Sequence, residues 1–168
     1  MDANRRNAWS VDPSGLLIGA AMPLGQLRTT DTYQDFDLQL DWRFNPVNRM
    51  TGEGALLLRT TGDDTRFPNA VEVRLTHRQV GALFRQGDFA MVTDQGRSNG
   101  RLIRAIRDME NTRGDWNHLE VRLSGGDLVV RVNGEVVNAA SQCTIQAGVI
   151  SLTTRVEMQF RNMKLKPL

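Results

Sequence analysis

Several strand-like segments set ionisable side chains two residues apart in an apolar frame. AVEVRL carries Glu72 and Arg74, HLEVRL carries Glu120 and Arg122, and DFDLQLDWRF carries Asp37, Gln39 and Asp41. Residues i and i+2 of a strand share a face, so each set projects together, away from the intervening apolar residues. Such a face can be a solvated exterior laced with cross-strand ion pairs. It can also be a groove for a polyhydroxylated ligand, where carboxylates and arginine forks bind hydroxyls and aromatics stack on a sugar ring. Alternation alone does not say which sheet forms a groove.

Other chemistries lack their residues. The sequence holds no HExxH, no phosphate-binding glycine loop, no nucleophile elbow and no cysteine pair. Cys143 is the lone cysteine and reads as a small core hydrophobe. His77 and His118 are the two histidines, so a metal site would need carboxylates to complete it. His77 reads as a solvated loop residue, and His118 faces either solvent or the site. The 21 basic residues divide into 19 Arg and 2 Lys, which fits coding bias or a preference for planar anions and hydroxyl-rich ligands. Basic residues concentrate between Arg97 and Arg113 without interleaved aromatics, which argues against a nucleic-acid partner. No apolar run approaches the roughly 20 residues that span a bilayer. MDANRRNAWS has no apolar h-region and does not read as a signal peptide. An exported form would have lost its leader, or the chain is a domain of a larger protein.

The elements that must carry these residues are strands. In DFDLQLDWRF, Phe36, Leu38, Leu40, Trp42 and Phe44 alternate with polar residues, as a half-buried antiparallel strand does. AVEVRL, HLEVRL, LVVRV, AGVISLTT and VEMQFRNMKL repeat the pattern, and Asn133-Gly134 marks a tight hairpin. Shorter strands are expected at Gly15 to Gly19 and at Gly54 to Arg59, the latter less alternating and buried on both sides. RLIRAIRDME spaces Leu102, Ile106 and Met109 as one short helix would. The loop-like stretches are 60–69 and the long one from Arg85 to Gly114, whose length points to a functional or partly structured connection. The expectation is a single all-β domain over 1–168, a two-sheet antiparallel sandwich with at most one short helix.

The last strand changes phase. Val156, Met158 and Phe160 share one parity, and Met163 and Leu165 the other. One extra residue at Arg161-Asn162, a β-bulge, accounts for the switch. These two side chains are then expected to bond backbone groups that the bulge leaves unpaired, without touching substrate.

WSVDPSGLLIG, YQDFDLQLDWRF, GEGALLLR, VEVRL with GALF, RGDWNHLEV, VNGEVV and FRNMKLKPL follow one another in the order of a known family. From about Trp9 to Leu168 the chain resembles the 3-keto-disaccharide hydrolase domain. The resemblance implies a concanavalin A-like jelly roll with a carbohydrate site on one sheet, and cleavage of glycosides already oxidised to a ketone at C3. It implies Glu72 as the catalytic acid or base, and Arg59, Trp116 and Asn117 as substrate-binding residues; Arg74 and Glu53, which stand where the family has other residues, are expected to bind substrate beside them. It implies a sugar ligand, leaves room for a divalent metal, and favours a secreted, periplasmic or cell-surface location. The chain departs from the family's usual residues at Gly52-Glu53-Gly54, Val71, Arg74, Thr76-His77 and Ser151 to Arg155. A non-catalytic carbohydrate-binding module, or an interaction sandwich without a sugar site, remains the alternative.

Overall fold

The computed structural model describes residues 8–48, 50–62 and 68–168. Its strands, in chain order, are β1 (Trp9–Val11), β2 (Leu17–Gly19), β3 (Gln26–Arg28), β4 (Phe36–Phe44), β5 (Gly54–Thr61), β6 (Asn69–Arg74) and β7 (Leu83–Gln86). They continue as β8 (Ser98–Asn99), β9 (Leu102–Ile103), β10 (Asn117–Ser124), β11 (Asp127–Val132), β12 (Glu135–Ala140), β13 (Val149–Thr154) and β14 (Met158–Pro167). Two seven-stranded antiparallel sheets result. One runs β1-β2-β14-β4-β10-β11-β12 and is called here the β4 sheet; the other runs β3-β13-β5-β6-β7-β9-β8 and is called the β5 sheet.

The alternation read from sequence is the alternation of burial. Along β4 every second side chain, from Phe36 to Phe44, is buried. These residues meet Leu56, Leu58, Val71 and Val73 of the opposing sheet in one core. Full burial of side chains such as Phe36, Trp42 and Phe160 contributes roughly 1.5–3 kcal/mol each. Trp42 and Phe44 also pack edge to face, with ring centroids 5.4 Å apart. The β11–β12 hairpin turns on Asn133 (φ 51°) and Gly134 (φ 87°), the two positive dihedrals that a type I′ turn demands.

The helix expected over 101–110 is replaced by the short strand β9, whose Leu102 and Ile103 pair with both β7 and β8. Ile103 enters the core, and its carbonyl and that of Arg104 accept from the buried Asn138 amide and the Arg97 guanidinium. Carbonyls engaged in that way cannot serve a helical ladder, so the helical spacing was incidental. The one helical element among the described residues is a 3-10 turn at Gln95–Arg97, capped by Asp94.

The phase change in β14 falls where the sequence placed it. Register against β4 shifts between Arg161 and Lys164, and Asn162 has a positive φ of 52°. The expected backbone contacts need correction. Arg161 Nε and Asn162 Nδ2 both donate to the Asp41 carboxylate, at 3.2 and 2.7 Å. Part of the 60–69 loop lies outside the described residues.

Candidate functional site

Glu72 and Arg74 share the outward face of β6, as their spacing requires. In register, Glu72 lies opposite Leu57 of β5, and Arg74 lies opposite Ala55. Ala55, Leu57 and Ala70 form a small apolar cluster of their own, separate from the core between the sheets. The segment Gly54–Leu58 alternates poorly because both of its faces are covered. One faces the core and the other floors a groove on the outside of the β5 sheet.

That groove has a volume of about 510 Å³, within the range of small-ligand pockets. Glu72, Arg74, Thr76 and Gln86 line it on the β6–β7 side, and Gln26, Thr153, Glu53 and Arg155 on the other. Gln86 Nε2 donates to Glu72 Oε2 at 2.6 Å, and Arg74 Nε donates to Oε1 at 3.2 Å. Arg74 is braced in turn by Gln79, which accepts from Nη1 at 2.5 Å, and by the Phe84 ring, 5.3 Å from its guanidinium carbon. The carboxylate is thus fixed in direction by two donors, and a guanidinium stands beside it. Such a pair can remove a proton and hold the negative charge that develops next to it. Glu53 and Arg155 form an exposed ion pair of 3.0 Å at one end of the groove.

Three of the six expected site residues therefore gather in the groove: Glu72, Arg74 and Glu53. The other three do not. Arg59 is wholly buried, donating to the carbonyls of Gln34, Thr144 and Gly125 and to Asp35 Oδ1 at 2.6–2.9 Å. Burial draws its pKa below the ordinary arginine range, and the Asp35 carboxylate offsets part of that effect. Arg59 ties loops together and has no surface to offer a ligand. Asn117 is also buried, its Oδ1 accepting from Asn111 N–H and from the Asn133 amide at 2.8 and 3.0 Å. It anchors the 111–117 loop to the β11–β12 turn. Trp116 sits over the outer face of the other sheet, against the guanidinium groups of Arg43 and Arg161, 4.3 and 3.9 Å from its ring.

The remaining polar sets separate by sheet. Asp37, Gln39, Asp41, Glu120 and Arg122 lie outward on the β4 sheet, in cross-strand pairs such as Arg122–Asp37 at 3.1 Å. His77, expected to be solvated, is instead half-buried, bound to Glu110 at 2.9 Å and packed edge-on to Phe44. His118 Nδ1 meets Asp41 at 2.7 Å. Cys143 lies in the core, where burial pushes its thiol up to about 11 and leaves it unreactive. Sequence reasoning missed Gln86, Gln26, Thr153 and Arg155. The alternation of LFRQ, with Phe84 and Gln86 on one parity, was the available signal for Gln86.

Among the described residues no three His, Cys, Asp or Glu side chains gather as a metal site. The groove itself offers Glu53 and Glu72, each already engaged by an arginine. Among the described residues no helix is long and apolar enough to cross a membrane.

Comparison with known proteins bears on the fold. The model of the 3-keto-alpha-glucoside-1,2-lyase-like domain matches residues 2–166. No curated protein is similar enough in sequence to match. Among solved structures, a candidate glycosyl hydrolase from Parabacteroides distasonis superposes with a TM-score of 0.71 at 19% identity, covering 99% of this chain and 93% of that one. The carbohydrate-binding module CBM66 from Bacillus subtilis gives 0.67 at 15% identity, over 94% of this chain and 90% of its own. A Bacillus licheniformis beta-glucanase gives 0.53 at 13% identity, over 94% and 71%. Identities this low establish the jelly-roll fold and nothing finer.

Proposed function

We propose that this chain, which belongs to the 3-keto-alpha-glucoside-1,2-lyase-like domain family, cleaves glycosides whose sugar carries a ketone at C3, in the groove on the β5 sheet. The ketone acidifies the proton on C2. Glu72 takes that proton onto its carboxylate, and the C2–H electron pair becomes the enolate. Arg74, whose Nε lies 3.2 Å from Glu72, holds the enolate oxygen. Collapse of the enolate forms the C1–C2 double bond and expels the anomeric oxygen with its aglycone. Later addition of water across that bond makes the net reaction a hydrolysis. Gln26, Thr76 and Thr153 supply hydrogen-bonding groups for the remaining sugar hydroxyls.

The observation that carries this reading is the fixed Glu72 carboxylate, held by Gln86 and Arg74 beside the small, apolar floor of Ala55 and Leu57. A general base needs a set direction, and a sugar ring needs a floor that does not fill the groove. The test is incubation with a chromogenic 3-keto-glucoside, alongside the unoxidised glucoside. Release of the chromophore from the keto sugar alone supports the proposal. Binding of the keto sugar without release overturns it in favour of a non-catalytic sugar-binding domain.

A further inference from the structure

The outer face of the β4 sheet carries a second groove, of about 620 Å³, on the opposite side of the sandwich from Glu72. The chain's only two lysines, Lys164 and Lys166, both line it. Lys164 lies opposite Gln39, and Lys166 opposite Asp37. Across the next strand, Glu120 lies opposite Gln39, and Arg122 opposite Asp37; Arg131 of β11 then lies opposite Glu120. Two polar rows therefore cross the groove, about 7 Å apart along the strands. Arg122 pairs with Asp37 at 3.1 Å, and Arg131 reaches Glu120 at 4.0 Å. Both carboxylates are thus matched by arginines. The exposed lysines form no ion pair among the described residues, so their charge is in surplus.

We propose that this groove binds an anionic polysaccharide, a uronate chain running across the polar rows. A uronate chain presents carboxylates and hydroxyls together. Lys164 and Lys166 suit the carboxylates, while Asp37, Gln39 and Glu120 accept hydrogen bonds from the hydroxyls. A phosphate-dense chain without free hydroxyl donors would be repelled by the same two carboxylates. The lysines have a second use to be separated from this one. Beyond Phe160, β2 no longer covers β14, and lysines on such an edge discourage pairing with other chains. Edge protection changes self-association and leaves oligosaccharide binding untouched.

The experiment is calorimetric titration of the full chain with hexagalacturonate, with maltohexaose as the neutral probe and an oligothymidylate as the second polyanion. Hexagalacturonate is expected to bind, and maltohexaose to bind far more weakly. Affinity should fall about tenfold in the double variant K164Q/K166Q, and again on raising the salt to about 0.15 M. R122Q should weaken binding as well, while E72Q should retain it, which separates this surface from the groove proposed for catalysis. Unchanged melting of the variants shows that the fold is kept. Absence of hexagalacturonate binding, equal binding by K164Q/K166Q, or oligothymidylate binding as tight as hexagalacturonate would each overturn the proposal.

Discussion

Arg59 Nη2 donates to Asp35 Oδ1 at 2.9 Å, and that same oxygen accepts the Gly125 N–H at 2.8 Å. One ion pair thereby joins the residue before β4, the far end of β5 and the turn between β10 and β11. Alternation along β5 would set Arg59 on the groove face with Ala55 and Leu57. Its positive φ of 49°, at the register shift between Leu58 and Thr61, turns the side chain into the end of the sandwich instead.

Removing Arg59 takes the charged donor from the Asp35 carboxylate and leaves three carbonyls without their guanidinium bonds. Arg59→Ala should cost about 3–5 kcal/mol, the range seen when one partner of a buried pair is deleted. Arg59→Lys should recover little, because an ammonium cannot place donors toward four acceptors in a plane. Urea denaturation of both variants checks this. Near-wild-type stability of Arg59→Ala would show that this clamp contributes little to the fold.

Gly148 is the backbone counterpart of that clamp. Tyr33 bridges to it, and a Cβ at this position would collide with main-chain atoms of Arg59 and Thr60. Backbone within β5 cannot step aside as a flexible side chain can. Gly148→Ala should therefore destabilise by about 1–3 kcal/mol, the usual cost of overpacking, with the loss visible as a lower melting temperature.

How much of this was legible follows from what side-chain period encodes. DFDLQLDWRF and HLEVRL fixed the inward and outward residues of β4 and β10 because burial repeats every second residue. Period two is blind to which sheet a strand joins. Glu72 with Arg74, and Glu120 with Arg122, look alike in sequence yet lie on opposite outer faces. Bulges defeat it again. The one at Arg161-Asn162 was readable because apolar residues flank it on both parities. The one at Arg59 was not, because Leu56, Leu57 and Leu58 are all buried and show no phase. Resemblance marked Arg59, Trp116 and Asn117 without distinguishing structural residues from ligand contacts.

Asp41 offers a pH test. Burial by itself would raise its pKa, but bonds from His118, Asn162 and Arg161 outweigh that and lower it from the ordinary 3.8. A folded-state value below the unfolded one means that the folded protein binds fewer protons. The stabilisation is therefore present above the unfolded value and lost as pH falls through the folded one. Melting temperature should drop on acidification below about pH 4. In Asp41→Asn that acid limb should be shallower, with lower stability at neutral pH. An unchanged acid limb would show that the β14 bulge does not depend on this carboxylate.

The groove makes the sharpest claim through Gln86, which touches Glu72 Oε2 at 2.6 Å. If Glu72 is the base, Glu72→Gln should lower turnover of a 3-keto-glucoside by about 10²–10⁴-fold, the usual contribution of a positioned acid–base group. Gln86→Leu keeps the bulk and removes the donor. Glu72 would then swing on its remaining bond to Arg74, so kcat should fall while KM changes little, and the kcat–pH profile should move. Gln86→Glu should be worse than Gln86→Leu, since it sets a second negative charge against the carboxylate. A rise in KM at constant kcat in Gln86→Leu would instead make Gln86 a plain sugar contact, with Glu72 oriented by Arg74 alone.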